Sequence, residues 1–297
     1  MIEKNIKEDF LNLFYHELEG EKLDNGNSLN LFILKVKNNT FSYDELIGEL
    51  GNKLCHFALS RNKVKQLIAE FKFNDLVNSA KEKLRKYSEN EGELGEILLY
   101  CLLESHLNAP KILTKLELKT AHNDYVKGAD GVHLLKLNDK DYQLILGESK
   151  LEAEITNGIY SAFDSIKTLL TEKGKLKFEI ELINSELVKE TYDTASYEIL
   201  KKIIIPSAKE DLTNIDYSFG IFLGYNVEIT DAEKKMNNSE FRNNIRLKIK
   251  NEVLSAIKSI NYQIKKKEFV GYQFYIYVIP FSDLATIRKE IIKDITR

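Results

Sequence analysis

Tryptophan is absent from the 297 residues, proline occurs three times and cysteine twice. Cys55 and Cys101 stand far apart without metal-ligand spacing, which excludes a disulfide scaffold and fits a reducing compartment. The five histidines form no pair at metal-binding spacing, so a zinc site is not expected. No run approaches eighteen apolar residues, which excludes a membrane-spanning helix. The N-terminus (Met1-Ile2-Glu3-Lys4) mixes acid with base and has no apolar signal core, so a cytoplasmic location is expected. A Walker-type phosphate loop is also missing, and any nucleotide hydrolysis has to come from a partner. Neither sign of charge dominates: 43 Lys and Arg face 46 Asp and Glu, a net charge of −3. That excludes a nucleic-acid coat protein with a generally basic surface and leaves room for a local basic groove.

What is present describes a soluble globular chain of one or two domains. Hydrophobic residues make up 43% and charged residues 30%, and the thirty Phe and Tyr together are more than a disordered chain carries. Apolar residues at 6, 10, 13, 14 and 18 predict a short amphipathic helix. Leu29 to Lys37 alternates as a strand, and Ser42 with Glu45 three residues on forms a capping-box signature for a helix through Phe57. A further helical pattern extends from Val64 to Leu84. Residues 1–88 therefore read as a mainly helical module without chemistry, bounded by the polar Ser88-Glu89-Asn90-Glu91-Gly92. Residues 89–297 read as an α/β domain. An apolar helix from Leu94 to Leu107 is followed by strands at 111–120, 131–138 and 142–150, a helix at 153–170 and an ambiguous stretch at 176–205. A strand at 218–226, a long helix from Ser239, a strand at 273–279 and a final helix to about 295 complete the pattern.

The chemistry-bearing residues lie in the middle of that order. Gly128-Ala129-Asp130 opens one strand, and Gly147-Glu148-Ser149-Lys150 ends its neighbour. Two carboxylates converging there make an oxygen-rich site suited to Mg²⁺, or Mn²⁺ in its place. Glu148 and Lys150 differ by two, so on a strand they share a face. An ammonium beside a metal site orients water and stabilises charge developing on a phosphoryl group, as phosphodiester hydrolysis requires. The acid-x-Lys triplet by itself says little, since others begin at Glu70, Glu117 and Glu233. Glu148 is set apart by the apolar run before it (Leu144-Ile145-Leu146), by Gly147 and by the upstream acid. A strand-edge salt bridge between Glu148 and Lys150 is the alternative reading.

Helix, Asp on the second strand, Glu-x-Lys on the third, then helix and strand: this order resembles the PD-(D/E)xK nuclease superfamily, although Ala129 stands where many members have proline. More closely, Gly95-Glu96-Ile97-Leu98-Leu99, Lys127-Gly128-Ala129-Asp130-Gly131-Val132-His133 and Leu146-Gly147-Glu148-Ser149-Lys150 resemble the HamA family. HamA is the nuclease-like effector of the Hachiman anti-phage system, whose partner HamB is a superfamily-2 helicase. The resemblance covers roughly residues 90–225. It implies a restriction-endonuclease-like mixed sheet flanked by helices, with Asp130 and Glu148 as metal-binding acids and Lys150 as catalytic lysine. Glu96 best matches the acid of the first helix, with Glu93 as alternative. The implied activity is Mg²⁺-dependent DNA cleavage under control of the helicase partner. Two other readings stay open: an idle nuclease fold that binds DNA or regulates the helicase, and a freestanding type II restriction enzyme.

The remaining signals are weaker. His133 points away from the face of Asp130 and reads as structural, and Cys101 as core. Asn157, Ser161, Ser165 and Lys167 on the helix after the motif face either DNA or plain solvent. Basic stretches at Arg242–Lys250 and Lys265–Lys267 line either a phosphate-tracking groove or a solvated helix face. The tyrosine-rich strand at 272–277 reads as packed sheet.

Overall fold

The computed structural model describes residues 3–87, 92–118, 128–172 and 214–297, with isolated positions between 176 and 201. In chain order its strands are β1 (Phe14–Lys22), β2 (Ser28–Leu34), β3 (Val36–Lys37), β4 (Thr40–Phe41), β5 (Lys111–Thr114), β6 (Gly131–Lys136), β7 (Asp141–Glu152), β8 (Asn214–Asn226) and β9 (Gln273–Phe281). Its helices are α1 (Tyr43–Ala58), α2 (Arg61–Ala69), α3 (Phe73–Tyr87), α4 (Glu93–Ser105), α5 (Lys115–Leu118), α6 (Ile155–Thr171), α7 (Asp231–Lys234), α8 (Asn238–Lys266) and α9 (Leu284–Thr296).

Seven strands form one mixed sheet in the order β1-β2-β9-β8-β7-β6-β5. Its centre is parallel: β7 pairs with β8, β8 with β9 and β9 with β2 in one direction. The composition of β8 explains its central place. Phe219, Ile221, Phe222 and Leu223 are consecutive or nearly so and all buried, which suits a strand covered on both faces. At one edge β5, β6 and β7 form an antiparallel meander. The β6–β7 turn is closed by Asn138 Oδ1, which accepts from the amides of Lys140 and Asp141.

Helix α4 covers one face of β7 and β8, and α6 covers the other. All thirteen residues of α4 are buried. Its close seating depends on two glycines. A Cβ on Gly95 would fall 3.0 Å from Ser149 Cβ, and one on Gly147 would fall 3.1 Å from Leu99 and 3.2 Å from the Gly131 carbonyl oxygen. At the far end of α4 the fully buried Glu104 accepts from the amides of Ile6 (2.8 Å) and Lys111 (2.9 Å) and also binds the Asn5 amide. Arg61 lies 3.7 Å from the same carboxylate. This buried acid thus ties the N-terminal segment, α2 and β5 to the central helix, and its charge is offset by main-chain dipoles as well as by Arg61.

Several expectations change. The helix predicted over 6–18 is a 3₁₀ segment (Glu8–Leu13) followed by β1. Phe14 and Leu18 are both buried, and a spacing of four fits the period of a strand as well as that of a helix; bulges between His16 and Leu18 and again before Glu21 set the register with β2. The first 87 residues hold helices together with strands, and β1 and β2 continue the same sheet that carries β7. The boundary expected at residue 88 falls on residues 88–91, outside the described residues. So does most of the ambiguous stretch 176–205. Ser42 does occupy the N-cap of α1, but its side chain makes no cap bond, and Glu45 pairs with Lys37 instead. The strand expected over 111–120 stops at Thr114 and turns into α5.

One local conformation runs against its side chain. After α2 the amide of Lys72 donates to Leu67 O (2.8 Å) and that of Phe71 to Ile68 O (3.0 Å), the paired bonds of a Schellman cap. The left-handed residue of that cap is Phe71, at φ 57°, and it is 81% exposed. Left-handed backbone costs a residue with a Cβ about 1–2 kcal/mol, partly offset by the entropy a glycine loses on folding. Phe71→Gly is expected to raise stability by about 0.5–1 kcal/mol, read as a higher denaturant midpoint at unchanged m. A lower midpoint would show that the Phe71–Phe73 ring contact outweighs the strain.

Candidate active site

The antiparallel register of β6 and β7 runs as far as Val132 opposite Leu146, two residues short of Asp130 and Glu148. Past the last ladder pair the two strands stay in contact, because the Asp130 amide donates to Gly147 O at 2.9 Å. Beyond it β6 ends, and the next β7 amide that faces this side belongs to Ser149. The Asp130 carboxylate takes the place of the missing strand: its Oδ2 accepts from Ser149 N and from Ser149 Oγ, both at 2.8 Å. Asp130 is therefore held by the fork where the two strands separate, and the Ser149 side chain is itself pressed against Gly95 of α4.

Glu148 and Lys150 project to the opposite face of β7, beneath α6, as their spacing predicts. Their charged atoms meet at 2.7 Å. Ser165 of α6 hydrogen-bonds the Glu148 carboxylate, and Gly158 leaves room for the Lys150 stem. Burial, and next the charge of Asp130, push the Glu148 carboxyl up from its ordinary range to about 7, against the pull of Lys150 and Ser165. Two acids held close enough to oppose each other's ionisation fit a divalent cation, which would offset the repulsion. Asp130 and Glu148 are the residues that would hold it, and Mg²⁺ keeps much of its own water in such sites.

Glu96 is buried in the first turn of α4, next to the Gly95–Ser149 contact, and Glu93 is more deeply buried one turn earlier. Among the described residues no three His, Cys, Asp or Glu side chains are grouped to hold a metal. The structure thus brings Asp130, Glu148 and Lys150 together, while Glu96 lies buried on α4 and forms no three-acid cluster with them among the described residues. Glu93 lines a separate small cavity of ≈ 210 Å³ with Arg288, Lys289 and Lys293.

The competing triplets are accounted for elsewhere. Glu117, in α5, binds the fully buried Lys111 and accepts from the Thr114 amide at 2.8 Å. Glu70 pairs with Lys72 on the surface. Glu233 closes the capping box of α7 with Thr230. His133 is buried, with Nδ1 2.8 Å from Ala109 O, and burial lowers its pKa to about 3, as befits a structural residue. Three cations of the basic stretch at 242–250 are paired within the fold. Arg246 lies 2.8 Å from Glu17 and stacks over Tyr15, Lys250 is 3.9 Å from Glu17, and Lys248 binds Glu233 at 3.2 Å and Glu228 O at 2.6 Å. In the second stretch Lys267 pairs with Asp164. Two positions escaped sequence reasoning. Ser149 has the wrong parity for the Glu–Lys face and holds Asp130 instead. Ser165, expected to face DNA or solvent, binds Glu148.

No helix among the described residues is long and apolar enough to cross a membrane. A family model described as HamA matches residues 8–295, nearly the whole chain. No curated protein matches the chain significantly.

The raised Glu148 pKa has a consequence for stability. An unfolded glutamate titrates near 4.5 and the folded one near 7, so between these values the native state binds more protons. Without metal, the stabilising protonation is complete below pH 4.5 and lost as pH rises through 7. Glu148→Gln is expected to raise Tm in EDTA at pH 8, with the gain shrinking toward pH 5. A gain independent of pH would show that Glu148 is ionised throughout.

Proposed function

Because the chain belongs to the HamA family, and because Asp130, Glu148 and Lys150 converge at the β6–β7 fork, we propose that it is the DNA-cleaving effector of its defence system. HamA membership makes it a Hachiman anti-phage defence protein. The single observation that carries the nuclease reading is the arrangement of Glu148: an acid pushed up to about 7 by burial and by Asp130, with an ammonium 2.7 Å away. Functional sites are where like charges are forced together in this way.

The chain's residues divide the chemistry between them. Asp130 and Glu148 would hold a Mg²⁺ or Mn²⁺ ion, which would supply Lewis-acid polarisation of the scissile phosphate. Ser149 fixes the aim of Asp130 through two hydrogen bonds, and Ser165 fixes one side of Glu148. Lys150 orients the attacking water and neutralises the charge that builds on the phosphoryl oxygens in the transition state. Glu96, buried in the first turn of α4, would assist metal or water positioning. The substrate is DNA, delivered in the cytoplasm by a superfamily-2 helicase subunit that keeps the nuclease restrained until aberrant DNA is engaged. A chain of net charge −3 is a poor collector of DNA by itself, which suits delivery by a translocating partner.

One observation favours a second reading. Among the described residues no third acid joins the cluster, and a site of two acids suits an idle nuclease fold that binds DNA or regulates the helicase. Lys150→Ala and Glu148→Ala separate the two. In the purified helicase complex with Mg²⁺, either change is expected to lower DNA cleavage at least 100-fold, a typical cost of losing such a group, while circular dichroism is unchanged. Cleavage equal to the parent's in either variant would refute the site. Parental cleavage that persists in EDTA would refute the metal.

A further inference from the structure

The hairpin of α2 and α3 buries Val64, Leu67, Leu76 and Ala80 in the core and leaves its outer side apolar as well. There Ile68, Phe71, Phe73 and Val77 are 45%, 81%, 55% and 40% exposed. Four exposed large hydrophobic side chains thus fall within ten consecutive residues, whereas a soluble monomer scatters such side chains singly. The rings of Phe71 and Phe73 stand edge to face, with centroids 6.5 Å apart. Phe71 also holds the left-handed position of the α2 cap, where glycine is the favoured residue, so local structure does not account for a large side chain there. Strain of this kind marks positions kept for another purpose. At these exposures the four side chains offer an apolar patch of roughly 400 Å².

We propose that this patch is the centre of a two-fold interface with a second copy of the chain. The inference is independent of the nuclease reading, and area and charge both point to this occupant. A stable interface covers about 800 Å² on each partner, with an apolar centre and a polar rim. The patch supplies such a centre, and the exposed Lys63, Lys65, Asn74, Asp75 and Asn78 supply the rim. The rim charges are sorted by helix. Glu70 and Lys72 pair with each other at the turn, 2.7 Å apart. That leaves Lys63 and Lys65 on α2 and Asp75 in the first turn of α3, and among the described residues no ion pair engages Lys65 or Asp75. A two-fold axis near Phe71 lays the α2 side of one copy over the α3 side of the other, so that Lys65 of each meets Asp75 of the other. A rim that carries both signs on opposite sides is matched by its own copy, whereas a rim of one sign would call for a different partner of the opposite sign.

The test is sedimentation velocity of the purified full chain at low salt, from low to high micromolar concentration. The weight-average mass of the parent is expected to rise from 34.3 kDa toward twice that value. Phe71→Gly relieves the left-handed strain and keeps the cap, and it is expected to weaken the dimer about tenfold because each copy loses a central aromatic. Phe73→Ser, which leaves the left-handed residue in place, is expected to act in the same direction, with circular dichroism unchanged in both variants. Lys65→Glu and Asp75→Lys are each expected to weaken the dimer about fivefold, since each change breaks two symmetry-related contacts. The two reversals combined in one chain are expected to restore it, which a merely structural role for these residues would not do. A parent that stays monomeric at every concentration, a dimer that survives Phe71→Gly, or a double reversal no better than the single ones would overturn the proposal. So would a monomeric parent that binds the helicase subunit until Phe71 is replaced, which would give the patch to that partner instead.

Discussion

The Ser149 side chain is wedged between Gly95 of α4 and the carboxylate of Asp130, and the arrangement of the candidate site follows from that contact. Any side chain at position 95 would displace Ser149, and with it the hydrogen bonds that turn Asp130 along the end of β7. The same close seating buries the whole of α4, whose far end gathers the N-terminal segment, α2 and β5 around Glu104. One helix pressed onto two strands thus links the site at its N-terminal end to the packing of the first sixty residues at its C-terminal end.

Electrostatics then divide the molecule. Nearly balanced charge hides a sorting by location: cations of α8 fasten that helix to β1 and α7, while α9 carries acids on one side and bases on the other. At the β6–β7 fork the sorting is reversed, and two acids are held against their mutual repulsion with one lysine beside them. Stability alone would not select this, since a buried carboxylate near another costs free energy unless protonated or bound to a cation.

Much of this was legible in the residues. The parity of Glu148 and Lys150, the turn at Asn138–Asp141, the apolar run of β8 and the buried helix before them all follow from local pattern, and the structure places them accordingly. What was not legible depends on partners distant in sequence. Apolar residues four apart in β1 fit a strand as well as a helix, and only pairing with β2 decides between them. Arg246 looks available for phosphate until Glu17 is folded against it, and the basic side of α9 looks like an ordinary amphipathic helix until its neighbours divide it. Ser149 is similar: nothing in the triplet signals that its middle residue holds the upstream acid.

The claim at the centre of this account is that Asp130 and Glu148 form one cation site. Titration of Mn²⁺ into the isolated chain, followed by electron paramagnetic resonance of the free ion, tests it without recourse to activity. The account predicts a single site in the parent, weakened at least tenfold by Asp130→Asn and by Glu148→Gln, with Glu96→Gln having a smaller effect. Equal Mn²⁺ affinity in the parent and in both variants would contradict it.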